Sequence, residues 1–566
     1  MLQATLSPEF RDRLQRVALA VAARPTPSVL VLGKWGRGLR TQACVGSDVG
    51  ATDPVALAIV RMTWGACHPE RRTDTMKSMK TVAMVSVFLA IVIGAAGCAG
   101  APTEVPGGLT FEAGYPSGKT SQTLYDEFDY QAAVQAYVWS TSLANSMGWW
   151  EALQRDLGFE DGELAVAIWD QRMKPQDVVM TANTDVVYSS TQYIDVSATG
   201  PLVIEAPAGL RGHIWDLWQR ALLDVGDVGP DQGKGGKFLV LPPGYTGEVP
   251  AGYFPARLEY SNHALFLYRT FVTPASGGLA GAVELAQKVK VYPLTEKDAP
   301  EPNRFVLVGD RPFNADWPKD ERYFGLLAQA FNADVVPEPG LALLGNLRRL
   351  GIEKGKPFEP DERALSILSR AADTGYAMVR TMAFDNRFEN KLIYPDRMWE
   401  RVLYNGSPQF LQAGYEEVEE RAASWYQIMG AFASAEKPAP GTGQFPMVTY
   451  RDSRGQYLNG SNTYRLQLQA DVPVAQFWEV PVYDVETRSL IDTDQQRPSL
   501  SSRDALVKNA DGSVTLYFGP EAPAGMEKNW VKTIPGKGWF TLLRLYGPLE
   551  PILNFTWEPN DLEKVE

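Results

Sequence analysis

The stretch Phe477-Trp478-Glu479-Val480-Pro481-Val482-Tyr483-Asp484 constrains the fold most, because it reads as an extended segment inside a C-terminal block of short strands and turns. Side chains alternate along a strand, so Trp478, Val480, Val482 and Asp484 share one face and Phe477, Glu479, Pro481 and Tyr483 the other. Proline has no N–H for a ladder, and Pro481 therefore predicts an edge strand or a bulge. Around this segment lie a turn at Asn459-Gly460, an alternating run Tyr464 to Leu468, a turn at Asn509-Ala510-Asp511-Gly512, and strands over Val514 to Phe518 and Trp539 to Tyr546. Regular turn chemistry between short alternating runs predicts a β-sandwich or jelly roll.

The spaced set Asn459-Gly460-Ser461-Asn462-x-Tyr464, Phe477-Trp478, Tyr483-Asp484, Asn509-Ala510-Asp511-Gly512-Ser513, Asn529-Trp530 and Arg544-Leu545-Tyr546 resembles the domain of unknown function 1214. Upstream, Thr181-Ala182-Asn183-Thr184-Asp185-Val186-Val187-Tyr188-Ser189 resembles the signature of its usual partner, the domain of unknown function 1254, in which Pro is normal at the position of Ala182. The resemblance implies two domains in that order and carries no assigned activity with it.

The first hundred residues read as something other than these domains. Met76-Lys77 and Met79-Lys80 precede an apolar run, Val82 to Ile93, that ends in Gly94-Ala95-Ala96-Gly97-Cys98, the layout of a secretory signal. With Cys98 at the first mature position it resembles a bacterial lipoprotein signal, whose thiol receives the lipid. Residues 1–75, without sustained periodicity, then read as a non-native extension from a misassigned start. The expectation is an exported protein of the outer membrane or periplasm, attached to the membrane through the lipid on Cys98.

Composition narrows the chemistry. Cys44, Cys67 and Cys98 are the three cysteines, so the folded part has no disulfide, thiolate metal site or cysteine nucleophile. Only His213 and His263 remain after residue 98, too few for a three-histidine metal site in one chain. Of 54 basic and 67 acidic residues, 12 and 6 fall in residues 1–97, which leaves 42 against 61 and a formal charge of −19. Such a surface disfavours nucleic acid.

The predicted organisation is a mixed, β-dominated fold of two β-sandwich or jelly-roll-like domains with a helical middle segment and an N-terminal helix. After the signal at 76–98 come a flexible tether (99–120), a first β domain with a leading helix from about Tyr130 to Arg155 (121–278), a helical segment (279–436) and a C-terminal jelly-roll-like domain (437–566). Between strands of the first domain, Asp224, Asp227 and Asp231 punctuate a Gly-rich loop that reads either as a solvated turn or as oxygen ligands for calcium. Neither a P-loop nor a dinucleotide-binding glycine motif occurs, and no nucleotide or redox cofactor is expected.

The resemblance directs attention to Asn183, Asp185, Tyr188 and Arg269 in the first domain, and to Trp478, Tyr483, Asp484, Asn529, Trp530, Arg544 and Tyr546 in the second. Strand parity places Arg544 and Tyr546 on one face with Phe540 and Leu542, where a buried arginine needs a carboxylate; Asp185 and Asp484 are the candidates. In one reading such a pair only fixes strand register. In the other, Asp185 or Asp484 is a general base or a ligand to a divalent cation, Tyr188 assists, and Arg269 or Arg544 polarises a substrate oxygen. Asn183, Trp478, Tyr483, Asn529, Trp530 and Tyr546 then form the wall for a small or polymeric ligand. The leading expectation is a carboxylate- or metal-dependent hydrolase, the alternative a non-catalytic ligand- or carbohydrate-binding lipoprotein; a structural envelope component completes the field.

Overall fold

A single serine divides the helix that the spacing predicts over Tyr130 to Arg155. Helix α1 (Gly118–Trp139) ends at Ser140, whose hydroxyl donates to the Ala136 carbonyl (2.7 Å), and α2 (Thr141–Leu157) starts at the next residue. A serine hydroxyl competing for a backbone carbonyl bends or breaks a helix in this way. The protein, described here from a computed structural model, is defined over residues 103–105, 107–334, 341–404, 409–412, 414–436 and 438–565. Cys98, the signal segment and the extension before it lie outside the described residues. Part of the expected tether is ordered: Thr103–Val105, Leu109–Glu112 and Tyr115–Pro116 make a small antiparallel meander. Its turns fall at Gly107-Gly108 and Ala113-Gly114, all four with positive φ.

Two sheets follow. Strands β1 (Val166–Ile168), β2 (Val186–Thr191), β3 (Leu202–Ala206), β4 (Leu210–Asp216), β5 (Ala221–Val225), β6 (Gly236–Leu241), β7 (Tyr253–Arg257), β8 (His263–Phe271), helix α3 (Gly278–Ala286), β9 (Lys290–Pro293) and β10 (Phe305–Leu307) form this region. The larger sheet runs β5-β4-β8-β2-β1-β10 and the smaller β7-β6-β3-β9. Val187, Ile214 and Phe266 of one meet Ile204, Phe238 and Val240 of the other in a shared core, with α3 closing it through Ala282 and Ala286. Within the largely apolar stretch His213 to Leu223 the chain turns back to form the β4-β5 hairpin. Its reversal is held by the Asp216 carboxylate, which accepts from Arg220 N (2.8 Å), and by Gln219 at positive φ.

The opposite face of the larger sheet is equally apolar. Tyr188, Trp215, Leu265 and Leu267 pack there with α2 and with α4 (Arg322–Ala333), α5 (Leu341–Arg349), α6 (Glu362–Phe384) and α7 (Val418–Gln427). Asp361 caps α6 by accepting from Ala364 N (2.8 Å). Among the described residues no helix is long and apolar enough to cross a membrane.

The C-terminal region has strands β11 (Glu400–Arg401), β12 (Gln444–Thr449), β13 (Tyr464–Leu468), β14 (Val474–Asp484), β15 (Ser499–Ser501), β16 (Val514–Gly519), β17 (Trp530–Lys532), β18 (Trp539–Pro548) and β19 (Glu563–Lys564). They assemble as β11-β12-β18-β14-β15 and β17-β16-β13-β19. Trp478, Val480, Val482, Leu543 and Leu545 face Leu466, Leu468, Leu516 and Phe518 across one core. The other face of β14 and β18, with Tyr483, Phe540 and Leu542, enters the same core as the helices and the first region. The predicted alternation is thus realised with both faces buried. Residues 101–566 accordingly form one compact unit.

Pro481 departs from expectation. It lies in β14, an internal strand flanked by β18 and β15, and the register shift in β14 falls between Val474 and Phe477. By alternation its missing N–H faces β18, where the paired register is interrupted at Val480 and Pro481 and the Pro481 carbonyl accepts from the Thr541 hydroxyl (2.7 Å).

Arg488, in the turn after β14, joins three parts of the chain. Its fully buried guanidinium donates to Asp316 (2.9 Å) and to the Tyr426 carbonyl of α7 (3.0 Å), while its own carbonyl accepts from Thr181 N (2.8 Å). The expected result of Arg488→Met is a loss of about 3 kcal/mol, since buried ionic hydrogen bonds are removed without new partners. Denaturant unfolding measures it; a change within about 0.5 kcal/mol, the range of ordinary surface substitutions, would contradict the junction role.

Candidate functional site

The segment Met180–Asp185 enters β2 through a tight turn with Thr181 at positive φ. Asn183 shapes that turn, its Oδ1 accepting from Asp185 N (2.5 Å), and its amide also reaches across to the Tyr546 hydroxyl. The Tyr188 hydroxyl accepts from Asn183 N (3.3 Å). Ala182, where the resembled signature has Pro, is buried, and its carbonyl accepts from Tyr483 OH (2.8 Å).

The C-terminal sheet supplies the other side. Glu479 stands opposite Arg544 and Phe477 opposite Tyr546 in the β14-β18 ladder. The Phe477 and Tyr546 rings stack at 4.2 Å. Arg544 Nη1 donates to the Thr181 carbonyl (2.6 Å) and to Tyr483 OH (3.0 Å). Glu479 Oε1 accepts from Thr184 N (3.0 Å), Thr184 Oγ1 (2.8 Å) and Ser499 Oγ (2.9 Å), while its Oε2 has no hydrogen-bond partner among the described residues.

Against this seam lies a cavity of about 350 Å³. Met180, Leu267, Phe432, Phe445, Leu542 and Phe555 give it an apolar wall, and Tyr188, Arg269 and Arg544 contribute polar atoms. Arg269, on β8, is 5% exposed and sits over the rings of Phe432 (5.0 Å) and Tyr188 (5.6 Å). It forms no ion pair with the described residues, and its Nε and that of Arg544 are buried without hydrogen-bond partners. Arg211, the neighbour of Arg269 across the β4-β8 ladder, takes Asp227 through two bonds of 2.7 and 2.5 Å.

Burial lowers the Arg269 pKa from its ordinary value; Tyr188 and Tyr546 work against it, and the fields of Arg544 and Arg211 add smaller contributions in its favour. Burial also works against the Arg544 charge, but Tyr546, Tyr483, Tyr188 and Glu479 outweigh it and hold that pKa well above the ordinary one. Desolvation pushes Tyr546 up to about 12 despite Arg544, so its phenol stays neutral. Burial, then Asp185, raises the Glu479 pKa. The cavity end is therefore a desolvated, electropositive place, suited to an anion.

The remaining expected residues fall elsewhere. Asp185 is buried beside the seam, its Oδ1 held by Arg172 (2.5 Å) and Arg497 (3.0 Å), and it does not line the cavity. Asp484 closes the turn after β14 by accepting from Glu486 N (2.7 Å) and Thr487 N (3.3 Å), with Lys537 at 3.2 Å. The carboxylate opposite Arg544 is thus Glu479, while Asp185 and Asp484 are paired with other cations. Trp478 belongs to the core between the C-terminal sheets. Asn529 pins a loop to Val507 and Thr515, and Trp530 Nε1 donates to the Gly519 carbonyl (2.9 Å), both in the outer sheet. Arg544 and Tyr546 share a face by parity, and the same parity applied to Glu479 and Tyr483 marks Glu479, which the sequence reading left unassigned.

A divalent cation finds no set of donors. Among the described residues no three His, Cys, Asp or Glu side chains converge. In the Gly-rich loop Asp224 accepts from Ala433 N and Ser434 N, Asp227 binds Arg211, and Asp231 accepts from Gly226 N and Gly235 N.

Fold and site define a β-rich protein with a buried arginine-lined cavity where two β regions meet. Residues 165–293 match the family described as protein of unknown function DUF1254, and residues 443–550 that described as protein of unknown function DUF1214; the chain carries both domains in this order. It is similar to the crystal structure of the VPA0106 protein from Vibrio parahaemolyticus, at 18% identity over 77% of this chain and 100% of that one, with a TM-score of 0.48. It is also similar to an uncharacterized protein from Burkholderia cenocepacia, at 13% identity over 79% and 97% of the two chains, with a TM-score of 0.36. No curated protein matches the chain.

The raised Glu479 pKa has a signed consequence. The folded state holds this proton more tightly than the unfolded chain, so its contribution is complete below the ordinary glutamate value of 4.5 and is lost as pH rises through the raised folded value. Glu479→Gln keeps an oxygen for Thr184 and does not titrate. The stability difference between Glu479→Gln and the wild type is expected to move in favour of the variant from mildly acidic to neutral pH, read by denaturant unfolding across a pH series. A difference independent of pH would contradict the assignment.

Proposed function

We propose that this chain binds a small organic acid with an apolar body, the acid group lying against Arg269 and Arg544 and the body along the cavity wall. The observation that carries this reading is Arg269, a buried cation on an apolar cavity without an ion-pair partner among the described residues. A buried charge is costly unless something neutralises it, and an anionic ligand is a natural counterpart. Apolar pockets with a few convergent polar groups are the usual form of small-molecule sites, and this volume falls in their range. Binding is favoured over turnover because Asp185 and Asp484, the expected bases, are each held by cations and neither reaches the cavity.

In the same reading the protein acts at the cell envelope, exported and lipid-anchored through Cys98, which the order of the signal-like segment supports. Each pair of sheets is taken as a sandwich of jelly-roll type, a reading supported by the core that each pair shares.

Calorimetric titration with straight-chain carboxylates tests the function. Arg269→Met is expected to weaken binding about a hundredfold or more, as loss of one partner of a desolvated charge pair does. It should leave the free protein at least as stable as the wild type, because an unpaired buried charge is removed. Binding unaffected by the substitution, or a variant that no longer folds, would show that Arg269 serves the structure and not a ligand.

A further inference from the structure

The cavity has a third arginine that the acid group at Arg269 and Arg544 does not use. At the inner end the lining is buried, with Trp149 1%, Arg269 5% and Arg544 7% exposed. Towards solvent it is formed by Phe555, 37% exposed, the exposed Pro438 and the half-buried Leu553 and Arg401. The Arg401 guanidinium lies 5.1 Å from the Phe555 ring centroid and forms no ion pair with the described residues. Burial lowers its pKa from the ordinary value, with only Tyr394 acting against that.

Register relates the two ends. Arg401 stands opposite Met447, which stands opposite Leu543, whereas Arg544 stands opposite Pro446. Cross-strand partners share a face, so the side chains of Arg401 and Arg544 leave the sheet on opposite faces, two strand spacings apart, or about 10 Å along the sheet. Of β12, strand β11 pairs with Met447 and Val448, and Gln444, Phe445 and Pro446, which it leaves uncovered, line the cavity. The cavity therefore passes round a sheet edge from one cationic end to the other.

Resting on the binding reading above, we infer that the ligand is a flexible molecule with an acid at each end of its apolar body, the second acid meeting Arg401 at the cavity mouth. An apolar middle follows the Phe445 and Leu542 walls, and flexibility lets it turn at the strand edge.

The test is calorimetric titration of the full chain with straight-chain monocarboxylates from octanoate to hexadecanoate and with the α,ω-dicarboxylates of matching length. At one length or more the diacid is expected to bind about tenfold more tightly, the worth of one partly exposed charge-assisted contact. Arg401→Gln, a substitution at the mouth, should abolish that preference, so that diacid and monoacid of equal length bind alike in the variant, whereas Arg269→Met weakens both series. Equal affinity of the two series, or a diacid preference that survives in Arg401→Gln, overturns the two-acid ligand. Failure of both series to bind overturns the underlying binding reading instead.

Discussion

From Phe477 to Asp484 strand β14 is buried on both faces, and one of those faces is apolar from Trp478 to Val482. Its other face carries Glu479 and Tyr483, beside Arg544 and Tyr546 of β18, and none of these can be left in a core without partners. The turn before β2 supplies them through the Thr181 and Ala182 carbonyls, the Thr184 amide and hydroxyl, and the Asn183 side chain. Arg488 adds a junction from the next turn to α7, Asp316 and Thr181. The two β regions are therefore held by directional bonds that tolerate little sliding. That geometry explains why residues distant in the chain make one compact unit.

The same requirement leaves positive charge uncompensated at the cavity. Carboxylates are present nearby, but each is engaged: Asp227 with Arg211, Asp185 with Arg172 and Arg497, and Glu479 with Thr184 and Ser499. Burial also favours the protonated form of Glu479, which weakens it as a counter-ion for Arg544. What remains is a pair of desolvated guanidinium groups at the inner end of an apolar space. Water around them is limited and the wall is hydrocarbon, conditions under which an ionic contact is stronger than at an open surface.

Much of the fold was legible. Alternation places Trp478, Val480 and Val482 against Tyr483 and Glu479, and the structure sets these two groups on opposite faces of β14. Asp361 marks the start of α6, and Tyr464 to Leu468 is a strand over its whole predicted length. The failures have local causes. Ser140 ends a helix by a hydrogen bond that periodicity does not register, Asp216 and Gln219 turn a strand back within an apolar run, and Pro481 sits inside a sheet where the ladder to β18 is interrupted beside it. Of the candidate residues, Asn183, Tyr188, Tyr483, Arg544 and Tyr546 gather at one seam with Arg269 nearby, while Trp478, Asp484, Asn529 and Trp530 do not.

The strand alternation of β13 and β14, the start of α6 and the order of the two domains were determined by the sequence alone, because each depends on residues close together in the chain. So was the exclusion of cysteine chemistry from residues 99–566, which composition decides by itself. Which carboxylate meets which arginine was decided only by tertiary structure, since Arg544 and Glu479 are 65 residues apart and Asp185 and Arg497 are 312 apart. Parity says which face a side chain takes, but not what the facing surface offers. Asp227 binds Arg211, while Arg269, opposite Arg211 in the β4-β8 ladder, has no ion-pair partner among the described residues, and that allocation exists only after the Gly-rich loop has folded onto the sheet.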